Sequence, residues 1–354
     1  MLCPMSRFDA AGRRFEELDA FRGIAALLIV LFHLISRYRQ MIVGTGDPGP
    51  VIGYLEPLVA TLIGGMPVSF FFMISGFVIV WTLEKCRTWQ DFAISRFSRL
   101  YPTFWAAVTV TYLVGIVDPL PIQHYTPLQF LANLTMFHDE LGIPAIDGAY
   151  WSLSVELIFY IGMGSLFALG WMRYLQIVCF VWALACLANV LLASVGIDVW
   201  YRVQKYALLW HGPFLIAGVM FFHGWKGQQS AFTFITLIIC LFSILINKSF
   251  LVALIYFFFF VIFFLSIHGR LEGIVLRPLL WLGSISYALY VCHEFLGYRM
   301  MLSLENLGMP RLPATAAALG SVLLLAWTIT NAIERPSLRF IRAAWSRRTP
   351  VRTA

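Results

Sequence analysis

Charge is scarce in this chain of 354 residues: Asp, Glu, Lys and Arg together make up 12% of it, about half the share of a soluble domain. An ordinary soluble enzyme, a disordered chain and a nucleic-acid binder are thereby excluded. Cysteine is sparse as well. Cys3, Cys86, Cys179, Cys186, Cys240 and Cys292 form no CxxC and mostly lie in apolar runs, so neither a disulfide framework nor a metal site is expected. No apolar stretch precedes Cys3, which argues against a lipoprotein-type leader. The sequence also lacks a P-loop, a G-x-G-x-x-G and a G-x-S-x-G, which removes the common phosphate cradles and the hydrolase nucleophile elbow. There is no internal repeat.

What is present is apolar: 60% of the residues are hydrophobic and mean hydropathy is +0.81. A helical span needs about 20 such residues. Runs of that kind are expected at about 18–35, 66–83, 101–117, 151–169, 174–194, 206–222, 231–247, 250–268, 279–298 and 314–333. The fold class is therefore all-α, a polytopic membrane helix bundle of about ten helices with no soluble domain. The first run has no small-residue cleavage site after it and is expected to be retained. Residues 44–50 form a Gly/Pro-rich loop, 51–63 an interfacial segment, 84–100 a charged loop and 118–150 a long polar loop. The third run opens with Tyr101-Pro102, where a first-turn proline costs no hydrogen bond.

The net charge of +7 follows from topology. With the N-terminus in the cytoplasm, 18 of the 25 Lys and Arg fall on the inner side and 7 on the outer. Such a bias sets orientation and puts both termini inside.

Ionisable residues within spans are costly and mark functional sites. His33 follows Arg22 by 11 residues on one helix, which places both on one face about 16 Å apart. The alternative is a histidine satisfied by a neighbouring helix. Ser152 and Glu156, four apart at the outer start of the fourth run, share a face. A helix cap with its dipole partner would explain them equally. A His33–Glu156 pair would fix the imidazole tautomer and raise its basicity, as a general base requires. Arg96 and Arg99 lie on one face before Tyr101 and suit a phosphate, or serve as plain topology charge. His293-Glu294 lacks the second histidine of a zinc-protease motif. His211 lies at a Gly-Pro kink, and His124 and His138 in the outer loop.

Taken together, these segments resemble the integral membrane acyltransferase-3 family. Leu18-Asp19-Ala20-Phe21-Arg22 through Phe32-His33 is similar to its Arg-x10-His pattern. Phe70-Phe71-Phe72-Met73-Ile74-Ser75-Gly76-Phe77 resembles its second-helix block, and Arg96-Phe97-Ser98-Arg99 its Arg-x-x-Arg motif. Trp151-Ser152-Leu153-Ser154-Val155-Glu156, the run Ser286-Tyr287 to Cys292-His293 and Glu334-Arg335-Pro336 also match in type and order.

The resemblance implies an O-acyltransferase, with acetyl as the expected group. The donor would be cytoplasmic acyl-CoA, with no permanently bound cofactor. The acceptor would be a hydroxyl of a cell-surface polysaccharide or lipid-linked saccharide. His33 would be the base, Glu156 its partner, and Ser152 or Ser154 an oxyanion donor. Arg96, Arg99 and Arg22 would hold coenzyme A phosphates. The layout expected is a cytoplasmic segment 1–17, a membrane acyltransferase domain 18–336 and a basic cytoplasmic tail 337–354, in a bacterial inner membrane. A transporter or flippase for acyl or saccharide substrates is the alternative; its broken helices and inverted repeats are not visible in the sequence.

Overall fold

The computed structural model of the chain describes residues 15–42, 49–118, 120, 125–228, 230–246 and 248–348. Cys3, Arg7, Arg13, Arg14, most of the loop 44–50, His124 and the end of the basic tail lie outside them. The described residues are helical, with no strand. Helix α1 (Glu16–Phe32) runs through a π-helical turn, His33–Arg37, into a last α-helical turn, Tyr38–Met41. There follow α2 (Gly49–Leu62), α3 (Met66–Leu83), α4 (Trp89–Val117), α5 (Pro127–Asn133), α6 (Trp151–Ala168), α7 (Leu175–Ser194) and α8 (Tyr201–Tyr206). The chain continues with α9 (Gly212–Trp225), α10 (Ala231–Leu245), α11 (Phe250–Ile267), α12 (Arg277–Cys292), α13 (Glu294–Asn306) and α14 (Arg311–Ile329). A second π-helical turn, Thr330–Glu334, joins α14 to α15 (Arg335–Arg348).

Seven helical stretches are long and apolar enough to cross a membrane, or eight if the bent pair α12–α13 is one crossing. The other two of the ten expected spans fall on α9 and α10, with 14 and 15 residues. At 1.5 Å per residue these reach about 21–23 Å, short of a hydrocarbon core of about 30 Å. Side chains such as Phe250, Val117 and Tyr54 stand exposed on the bundle surface, as a lipid-facing wall requires.

Two expectations change. The charged segment before Tyr101 is helical rather than a loop. Thr88 and Asp91 form a reciprocal capping box, which satisfies first-turn N–H groups and starts α4 at Trp89. Pro102 is then an interior residue. The ninth run, expected to be continuous, breaks at His293 with a bend of 75°.

Glycines set the close contacts that position the site. A Cβ on Gly23 would lie 2.5 Å from the Leu279 carbonyl oxygen and 2.7 Å from Gly283 N; one on Gly283 would lie 2.1 Å from the Asp19 carbonyl oxygen. Helices α1 and α12 therefore touch backbone to backbone. They run in the same direction, with the offset of 260 residues between Gly23 and Gly283 repeated between His33 and His293. A similar contact joins α3 to α9, where a Gly218 Cβ would lie 2.0 Å from the Met73 carbonyl oxygen.

Candidate active site

Three arginines from two helices converge on one cavity. It holds about 780 Å³ of empty space counting its open mouth and is lined by Arg22 of α1, Arg96 and Arg99 of α4, Ser152 and Glu156 of α6, and Tyr287 and Tyr290 of α12, with Ser75, Phe71 and other α3 residues closing it. The Nε atoms of Arg22 and Arg96 are buried with no hydrogen-bond partner among the described residues. Arg96 Nη2 donates to Thr82 Oγ1 at 3.2 Å and to Ser95 Oγ at 3.3 Å, both neutral. Its positive charge thus remains available to an anion. Arg99 differs: it forms an ion pair with Glu334, the last residue of the second π turn, and its guanidinium lies 5.5 Å from the Tyr287 ring. The Arg-x-x-Arg segment and the Glu-Arg-Pro segment are therefore one buried contact.

Glu156 lines this cavity but does not orient His33. Its Oε1 accepts from Ser75 Oγ at 2.5 Å and from the Tyr160 hydroxyl, and those hydroxyls are 3.1 Å apart. The expected His33–Glu156 pair is thus replaced by two hydroxyl donors, one of them a turn further along α6. Ser152 shares a 2.6 Å hydrogen bond with the Tyr290 hydroxyl, which donates to the Ala149 carbonyl at 3.1 Å. Ser154 faces away from the cavity: its hydroxyl donates to the Met136 carbonyl at 2.9 Å and fastens α6 to the preceding loop.

His33 lies beyond Ser152 and Tyr290. Its ring is nearly coplanar with that of His293, with 10° between the planes and centroids 4.8 Å apart, and the two meet edge to edge, with its Nδ1 2.5 Å from His293 Nε2. The Tyr290 ring lies 5.7 Å from the His293 ring on the cavity side. The carboxylate beside His33 is Glu294, with Oε2 3.8 Å from Nδ1. Glu294 rests over Gly148, where a Cβ would come within 2.5 Å of Oε1.

The bend at His293 is held by a residue the sequence reading passed over. Asp147 is 1% exposed. It accepts Ala149 N–H at 2.9 Å and Phe295 N–H at 3.0 Å, so one carboxylate caps two helix starts. An Asp-Gly ahead of an apolar run is an N-terminal signal, and Asp147-Gly148 carries it. The neighbouring loop holds His138, which is buried rather than turned toward a ligand. Burial keeps its imidazole below the ordinary range, helped by the Lys205 charge and opposed by Asp139 and Glu140. Lys205 pairs with Asp139 at 2.5 Å and Glu140 at 2.8 Å. Burial alone would lower its ammonium pKa, but those bonds raise it.

The family described as "Acyltransferase domain" matches residues 15–331. The chain belongs to that family of membrane-embedded acyltransferases. Acyltransferase MdmB of Streptomyces mycarofaciens is 27% identical over 158 residues, covering 42% of this chain and 38% of that protein. The chain thus spans well under half the length of that relative. No solved structure matches.

Proposed function

We propose that the protein is a membrane O-acyltransferase that moves an acyl group, acetyl in the simplest case, from cytoplasmic acyl-CoA to a saccharide hydroxyl on the outer side. The single observation that carries this reading is the cavity into which Arg22 and Arg96 project, ending at Tyr290 next to the His33–His293 pair. Two guanidinium groups at the inner mouth, that of Arg96 with no acidic partner among the described residues, suit the phosphates of coenzyme A. Arg22 has only Asp19, at 3.9 Å, for an acidic neighbour. Arg99 supports the wall through Glu334 and adds charge at longer range. The orientation rests on the Lys/Arg bias, which puts both termini in the cytoplasm of a bacterial inner membrane.

In the reaction, the acceptor hydroxyl gives its proton to His33 as its oxygen attacks the thioester carbonyl carbon. The carbon–sulfur bond breaks, and the coenzyme A thiolate takes the proton from the imidazolium. Glu294, not Glu156, is the carboxylate near enough to steady that imidazolium. Ser152 and Tyr290 carry hydroxyls that line the cavity, and either would turn from the Ala149 carbonyl to donate to the oxyanion. Neutral imidazole is far cheaper to bury than a carboxylate, which suits it to serve as a base inside the bundle.

The bend at His293 is the one feature a transporter reading can claim, because transporters place broken helices at their binding sites. One experiment separates the two. Purified protein is incubated with acetyl-CoA and a saccharide acceptor, and free thiol is followed. Thiol release that His33→Ala abolishes, with coenzyme A binding intact, supports acyl transfer. A chemically inert protein that carries a labelled saccharide across vesicles overturns it.

A further inference from the structure

The two hydrogen bonds of His293 leave one consistent placement of protons on the neutral pair. His293 Nδ1 is 2.7 Å from the Tyr290 carbonyl oxygen. A carbonyl only accepts, so Nδ1 bears the hydrogen. A neutral imidazole has one N–H, so His293 Nε2 is a bare acceptor. His33 Nδ1, 2.5 Å away, must then be the donor. His33 is thereby the Nδ1–H tautomer, and its second nitrogen, Nε2, is unprotonated.

We infer that His293 is a positioning residue that fixes His33 in the Nδ1–H tautomer and leaves His33 Nε2 as the base. The inference rests on the acyl-transfer reading for its consequence in the rate, but the hydrogen bond itself can be read without any reaction. Three features of the fold build the relay. Helix α12 ends at Cys292, so the Tyr290 carbonyl is among the last-turn acceptors that a helix leaves without an internal partner. The break places the His293 ring over it. The backbone contact of α1 with α12 at Gly23 and Gly283 then carries both helices ten residues forward in register to the two rings. When Nε2 takes a proton, the Nδ1–H to His293 bond becomes charge-assisted and stronger, with Glu294 3.8 Å away as the counter-charge. The second histidine thus does for His33 what a carboxylate does in a Ser-His-Asp triad: it sets which nitrogen is bare.

The test uses the full chain in detergent, as wild type, His33→Ala, His293→Ala and His293→Gln. The glutamine retains an amide oxygen to accept from His33 Nδ1–H and an amide N–H for the Tyr290 carbonyl. With acetyl-CoA as probe, His293→Ala is expected to lower kcat about 100-fold while KM for acetyl-CoA stays within about two-fold. His293→Gln is expected to recover at least a tenth of the wild-type kcat. In ¹⁵N-histidine-labelled protein, a downfield Nδ1 proton is expected that both His33→Ala and His293→Ala remove. Wild-type kcat in His293→Ala, or a His33 spectrum of the Nε2–H tautomer, overturns the inference. If wild-type protein releases no thiol, the acyl-transfer reading falls, and the ¹⁵N spectrum alone decides the tautomer.

Discussion

Gly283→Ala adds one methyl group far from any reacting atom and should disable the site. The added Cβ would lie 2.1 Å from the Asp19 carbonyl oxygen, a backbone atom of α1. An ordinary contact of that kind starts near 3.4 Å. The helices must separate by roughly 1 Å at the crossing, because neither backbone can rotate out of the way; overpacking of this kind costs about 1–3 kcal/mol. The separation propagates along α12 toward His293. There the 2.5 Å bond to His33 would open beyond hydrogen-bonding range. Misplacement of about 1 Å costs on the order of 100-fold in rate. Both effects are measurable in one preparation. Cys179, Cys186, Cys240 and Cys292 are buried, so a thiol-reactive dye reports unfolding as temperature rises, while thiol release before melting reports activity. Gly224→Ala, with nothing within 4 Å of the new Cβ, is the control. Wild-type melting and rate in Gly283→Ala would refute the backbone contact and the register argument built on it.

The arginines of α4 should behave oppositely when truncated. Arg96→Ala should weaken coenzyme A binding roughly 10- to 100-fold by calorimetry with little loss of stability, since a charge-assisted contact is worth about 1.5–3 kcal/mol. Arg99→Ala should destabilise by about 3–5 kcal/mol, because it leaves Glu334 buried without its partner; Glu334→Gln in the same chain should restore part of that, and equal melting of the two arginine variants would contradict the assignment. In the loop that holds His138, neutral imidazole is favoured by burial. The unfolded loop therefore binds more protons below the ordinary value near 6.5, and loop stability falls as pH drops through that value. Hydrogen-exchange protection over 134–147, corrected for the intrinsic exchange rate at each pH, should fall between pH 7 and pH 5, and His138→Asn should flatten the change; Lys205, raised rather than lowered, stays charged throughout this window.

Much of the fold was legible because a bilayer demands long apolar runs, and each expected run falls on a helix. Helix ends were less so. Thr88 and Asp91 are a readable cap, yet the charges after Leu83 outweigh it when a segment is judged by hydropathy alone. Arg22, Arg96, Arg99, Ser152 and Glu156 were identified individually and meet in one cavity. Their partners were not legible. Nothing in the spacing of Glu156 tells that Ser75, 81 residues away, reaches it first. His293 and Glu294 stood in the sequence as an unassigned pair, because their meaning depends on a helix break made by Asp147 from a distant loop.

The constant offset of 260 residues between α1 and α12 also dictates when the site comes into being. His33 is made 260 residues before its hydrogen-bond partner His293. Arg99 likewise waits for Glu334, 235 residues later. A ribosome-bound chain that has inserted α1 to α11 holds the base in an unspecified tautomer beside an unfinished arginine wall. Under the proposed function the pair at His33 is complete only once His293 follows α12 into the fold, and the arginine wall only once Glu334 follows α14, so a chain stalled before α12 lacks both.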